Sequence, residues 1–79
     1  VSTYRLDVAE LFRQLDARRR WRGLSWRALA RELGLSASTL TRLRDGGGAP
    51  DADALMTLLV WLGVGSDLAP LIVPRVEQR

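Results

Sequence analysis

A chain of 79 residues, 47% hydrophobic and 27% charged, has room for one small globular domain. Its 12 basic residues are all Arg and it has no Cys or His. That excludes disulfides, thiolate and lysine Schiff-base chemistry and the usual zinc ligand sets, so no enzyme, cofactor or metal is expected. Residues 1–50 carry ten Arg against five acids and residues 51–79 two Arg against four acids, a polarity that points one basic face at a polyanion.

Helix breakers divide the chain into short segments, and no stretch alternates in the way a strand requires, so an all-α domain without strands is expected. Only Val1 to Arg5 has an extended character. The first helix starts after Asp7, whose carboxylate suits the N-cap, with Glu10 three residues on as in a capping box. Val8, Leu11, Phe12 and Leu15 form its apolar face. Arg18, Arg19, Arg20 and Arg22 crowd its C-terminal end, where cations suit the helix dipole. Ser25 caps a second helix over Trp26 to Leu33, closed by Gly34, with Leu29, Ala30 and Leu33 turned inward. Ser36 caps a third, Ala37 to about Asp45, with Leu40 and Leu43 inward and small or polar residues outward.

The run Gly46 to Gly48 is expected to make the next loop flexible. A fourth helix follows from about Asp51 to Leu62, with Leu55, Leu58, Leu59 and Leu62 as its core stripe. Met56 and Val60 lie off that stripe and leave apolar surface for the tail or a second chain to cover. Ser66 suits the cap of a last short turn through Leu68, and Pro70 and Pro74 stop anything longer. The organisation read here is a domain over 1–65 and a tail over 66–79 that packs on the domain or on a partner. No apolar run approaches the ~20 residues of a membrane span, and no signal-peptide core is visible.

The second and third helices are joined by only Gly34-Leu35-Ser36, the helix-turn-helix arrangement. Gly34 supplies the left-handed corner, Ala30 lets the helices approach closely and Leu35 plugs the corner. Leu29-Ala30, Leu33-Gly34-Leu35-Ser36, Ser38-Thr39-Leu40-Thr41-Arg42, Pro50 and Leu62-Gly63-Val64 stand in the order and spacing of one family. Over about residues 7–64 the chain resembles the phage-repressor/Cro-type, or XRE-type, helix-turn-helix family. The resemblance implies a small lambda-repressor-like domain of four to five helices whose third helix lies in the major groove of double-stranded DNA.

By motif position the resemblance carries over Ser36, Ala37, Ser38, Thr41 and Arg42 as DNA-facing. They also occupy the start and the non-core face of the third helix. Arg42 suits bidentate donation to guanine or a phosphate contact. Ser38 and Thr41 suit base or phosphate, and Ala37 suits apolar contact with thymine. Ser36 is a cap first and a phosphate ligand second. The backbone contacts expected are Ser36, Trp26, Arg27 and Arg44. Trp26 stands where the family often has Gln, and either meets phosphate or packs on the first helix. Arg44 either meets phosphate or offsets the helix dipole, and Arg44-Asp45 stand where the family often has Glu. Trp21 and Trp61 have no assigned role, burial being the expectation for Trp61.

The reading is therefore a sequence-specific bacterial transcriptional regulator of the repressor kind, cytoplasmic and associated with the nucleoid, with no membrane partner. The alternative is a protein-interaction module, antitoxin-like or adaptor, reusing the same fold. A weak homodimer is the expected assembly, through Val60, Val64, Leu68, Leu71 and Ile72.

Overall fold

The computed structural model describes residues 2–63 and 69–76. Four helices, α1 (Val8–Trp21), α2 (Trp26–Leu33), α3 (Ala37–Arg44) and α4 (Ala52–Leu62), make up most of it. Each opens on the residue whose side chain can satisfy a free N–H of the first turn. Asp7 accepts from the Glu10 amide at 3.0 Å, Ser25 from Ala28 at 3.0 Å, Ser36 from Thr39 at 3.3 Å and Asp51 from Ala54 at 2.8 Å. Caps of this kind are worth about 1 kcal/mol each.

The capping box of α1 forms only by half. The Glu10 carboxylate turns to Arg13 and Gln14 instead of reaching back, and the Asp7 amide donates to the carbonyl of Leu71 at 2.8 Å.

The corner between α2 and α3 is built as its sequence requires. Gly34 takes φ 69°, and the Leu35 amide donates to the Ala30 carbonyl at 3.0 Å. Leu35 packs against the core and Ala30 is buried. The end of α3 uses the same device: Gly46 takes φ 73° and donates to Leu43, and Gly47 donates to Arg42 at 2.7 Å. The glycine run, expected to loosen this loop, thus begins by closing α3 in a Schellman-type cap.

Leu11 and Leu15 of α1, Leu29 and Ala30 of α2, Leu40 and Leu43 of α3, and Leu58 of α4 meet in one core. Val8, Phe12, Leu33, Leu55, Leu59 and Leu62 pack around it, so each expected apolar face points inward. Leu71 from the tail is 2% exposed and completes this core.

The absence of strands is corrected. After a single 3₁₀ turn (Ala69–Leu71), β2 (Ile72–Val76) pairs antiparallel with β1 (Ser2–Leu6), in the register Ser2 to Val76 through Leu6 to Ile72. The two strands come from opposite ends of the chain, so neither has a local partner for a sequence reading to find. Burial of Leu71 and the bond from Asp7 bring them together. The fold remains an all-α helix-turn-helix domain carrying a two-stranded terminal ribbon. The expected turn at Ser66 to Leu68 and the residue Val64 lie outside the described residues. Among the described residues no helix is long and apolar enough to cross a membrane.

Candidate nucleic-acid interface

α3 is fixed by Leu40 and Leu43, each 3% exposed. With its position set by that stripe, the helical period turns Ser38, Thr41, Arg42 and Asp45 outward together. Ala37 and Arg44 fall on the flank bordering Phe12 and Trp26, and Thr39 on the flank bordering the loop from Gly47 to Asp51.

The N-terminus of α3 carries a hydroxyl cluster. Ser36 Oγ lies 3.0 Å from Ser38 Oγ and 2.9 Å from Thr39 Oγ1, and also accepts from the Thr39 amide. Ser36 is therefore a cap and a hub, and Ser38 stays exposed beside it. Thr41 Oγ1 donates to the carbonyl of Ala37 at 3.0 Å. Its proton is spent within the helix, so Thr41 offers outward its methyl group and acceptor lone pairs rather than a donor.

Arg42 is exposed, and among the described residues no acid or hydrogen-bond partner holds its guanidinium. Its stem lies along Gly47: a Cβ there would sit 3.3 Å from Arg42 Cγ and 3.3 Å from its carbonyl oxygen. Arg42 also borders a cleft of about 300 Å³ with Thr39, Gly47, Gly48, Pro50 and Asp51. Gly47 thus leaves room for the Arg42 stem, a close approach that the expectation of a flexible loop did not include. The signal was present, since the glycine run is longer than a helix stop needs.

Arg44 is held by its neighbour. Its Nε lies 2.9 Å from Asp45 Oδ1, and the pair is exposed. The hydrogen bond and the adjacent opposite charge hold the Asp45 carboxyl below its ordinary range and push the Arg44 guanidinium higher. Asp45, the one acid on the outward face, is thereby kept ionised beside Arg44.

Trp26 opens α2 packed between two other side chains. Its ring stacks on Phe12 with centroids 5.1 Å apart, and Arg19 lies over it at 4.5 Å. Of the two uses expected for Trp26, packing on α1 is the one seen. The same ring borders a small hollow of about 70 Å³ with Phe12, Ala37, Leu40, Thr41 and Arg44. Four of the residues singled out from sequence, Trp26, Ala37, Thr41 and Arg44, therefore meet at the seam between α2 and α3. Arg42 borders the opposite flank of α3, and Arg27 stands exposed at the start of α2.

The arginines at the end of α1 have other work. Arg19 donates to the Leu24 carbonyl at 2.7 Å and to Asp16 at 2.6 Å, and Arg20 also reaches Asp16. Arg22 pairs with Glu32 at 2.6 Å, and Trp61 Nε1 donates to the same carboxylate at 2.7 Å. Those two donors keep the Glu32 carboxyl below its ordinary range. Arg18 and Arg22 lie over the Trp61 ring. Trp61, expected to be buried, is half-buried and acts as a polar tie between α4 and α2, whereas Trp21 is 82% exposed.

No group of acids among the described residues is arranged to hold a metal ion. The outward face of α3 presents hydroxyls, the Thr41 methyl group and the Arg42 guanidinium to solvent.

No curated protein and no solved structure matches the chain. A family profile described as a helix-turn-helix domain does, over residues 10–71, from the first turn of α1 to the buried Leu71. The match agrees with the XRE-type resemblance of the sequence and with the α2–Gly34–α3 corner, and covers most of the chain: the protein belongs to the helix-turn-helix domain family, whose members are DNA-binding.

Proposed function

We propose that this protein is a sequence-specific double-stranded DNA-binding transcriptional regulator that acts as a repressor, with α3 in the major groove. The observation that carries the reading is the outward face of α3. Ser38, Thr41 and Arg42 are exposed there, and Arg42 has no partner among the described residues, while most neighbouring arginines are committed within the fold.

Arg42 then donates to guanine O6 and N7, the side-chain contact best suited to reading a base. The Thr41 methyl and Ala37 suit thymine methyl groups, and Ser38 a base or phosphate. Ser36 and Arg27, with the free amides at the start of α2, suit backbone phosphates. Trp26 supports that edge from behind, through its stack on Phe12. Repression follows from occupancy: a bound domain excludes other proteins from the same stretch of DNA.

The test is selection of random duplexes by the purified protein, followed by a salt titration on the recovered site. Enrichment of one short motif is expected, with log affinity falling linearly in log salt by ~0.9 per phosphate neutralised. A transcription assay with that site overlapping a promoter should show reduced output. Absence of duplex binding at low salt would overturn the reading and favour the protein-interaction alternative.

A further inference from the structure

The cleft that Arg42 borders, about 300 Å³, opens between α3 and the loop from Gly47 to Asp51 that leads into α4. Its volume lies at the small end of the range for ligand sites. It carries one charge of each sign: Arg42 from α3 and Asp51 from the start of α4. Both line the same space, yet they form no ion pair with each other.

Each charge is held on its own wall. Asp51 gives one carboxylate oxygen to the Ala54 amide at 2.8 Å, as the cap of α4, and its other oxygen has no partner among the described residues. The Arg42 stem lies along Gly47, where a Cβ would sit 3.3 Å from its Cγ, and its guanidinium is exposed. The amides of Gly48 and Ala49, in the same lining, donate to no group among the described residues.

A cleft with a cation on one wall and a carboxylate on the other sorts small molecules by charge. A simple anion gains from Arg42 and is repelled by Asp51, and a simple amine meets the reverse. A molecule bearing both a carboxylate and an ammonium group satisfies both walls. The two loop amides can add hydrogen bonds to its carboxylate, and Ala49 and Pro50 offer apolar surface to the methylenes between its charges.

We propose that this cleft binds a small zwitterion, an aliphatic amino acid, with its carboxylate on Arg42 and its ammonium group on Asp51. Exposed charge pairs contribute little each, so the affinity is weak, in the millimolar range. The binding needs no DNA. Its consequence rests on the proposed function: Arg42 cannot serve the ligand and guanine at once, so amino acid and DNA site compete, each lowering the other's affinity by the same factor.

Titration of the DNA-free protein with glycine, β-alanine and γ-aminobutyrate, followed by amide NMR shifts, tests this. The three probes carry the same two charges at increasing separation, and butyrate and butylamine carry one each. At least one zwitterion should bind about tenfold more tightly than either single-charge control, with the amides of Gly48 and Ala49 moving first. Asp51→Asn removes the charge and keeps the cap, because Asn caps a helix as well as Asp does. It should leave melting unchanged and reduce the zwitterion to the affinity of butyrate, and Arg42→Ala should reduce it to that of butylamine. No binding by any of the three at high millimolar concentration, butyrate binding as tightly as the zwitterions, or a zwitterion affinity that survives Asp51→Asn would each overturn the proposal. Since every arm is read without DNA, its failure leaves the DNA-binding reading untouched.

Discussion

At the end of α1, Arg18, Arg19, Arg20 and Arg22 all have partners: Asp16, the Leu24 carbonyl, Glu32 and the rings of Trp26 and Trp61. Around α3 the pattern differs. Arg44 is tied only to the adjacent Asp45, and Arg42 to nothing among the described residues. The denser cluster of charge is thus the more structural one, whereas Arg42, like Arg27 and Arg31, stands exposed without a partner among the described residues. Charge density along a sequence locates basic residues; which of them are spent inside the fold depends on acids and rings that arrive from other helices.

Exchanging roles between the two regions should fail in opposite ways. Arg19 is largely buried, and its guanidinium serves a backbone carbonyl, a carboxylate and a ring at once. Arg19→Ala should cost about 2–3 kcal/mol of stability, since hydrogen bonds to charged groups are worth ~1.5–3 kcal/mol and the Leu24 carbonyl is left behind. Chemical denaturation measures the loss, and DNA affinity per folded molecule should hold.

Arg42→Ala should do the reverse. Melting should not move, while preference at one base pair relaxes by about 1–3 kcal/mol, as profiling on single-base site variants would reveal. A uniform loss across all variants would instead assign Arg42 to phosphate.

Asp45→Asn sharpens the comparison further by moving Arg44 from the first class to the second. Released from its exposed partner, Arg44 should strengthen duplex binding a few-fold at low salt. The salt dependence should steepen by ~0.9, the mark of one added phosphate contact. An unchanged slope would place Arg44 away from the DNA.

The smallest effect belongs to Glu10. Hydrogen bonds from Arg13 and Gln14 lower its carboxyl pKa to about 2. A depressed carboxylate adds stability that is present above its unfolded value of 4.5 and is lost as pH falls through about 2. Glu10→Gln should therefore lower the melting temperature slightly near neutral pH, with the gap to the unmodified protein closing between pH 4.5 and 2. Glu10 is half-buried but its partner Arg13 is open to solvent, so the gap should also shrink with salt.

Much of the helical architecture was legible because its determinants are local. Asp7, Ser25, Ser36 and Asp51 each cap within three residues of themselves, and Gly34 turns the corner by its own conformational freedom. The outward face of α3 was legible for the same reason, since Leu40 and Leu43 set the helix rotation and the rest follows from its period. What escaped was non-local. β1 and β2 lie at opposite ends of the chain, and each looks like five unremarked residues until the other is placed beside it. From the sequence Trp61 reads as a core residue, because nothing near it hints at Glu32, 29 positions away.

The sequence by itself determined where helices start and stop, which stripe of each faces inward and that the chain is a helix-turn-helix protein, because caps, glycines and apolar periods act within a turn or two. Only the tertiary structure decided which arginines lack a partner among the described residues, that Trp26 is held between Phe12 and Arg19, that Gly47 lies against the stem of Arg42, and that β1 and β2 pair in a ribbon. Those outcomes depend on groups brought together from separate elements, and a hydrogen bond or ion pair is decided at about 3 Å, a distance that position along the chain does not encode.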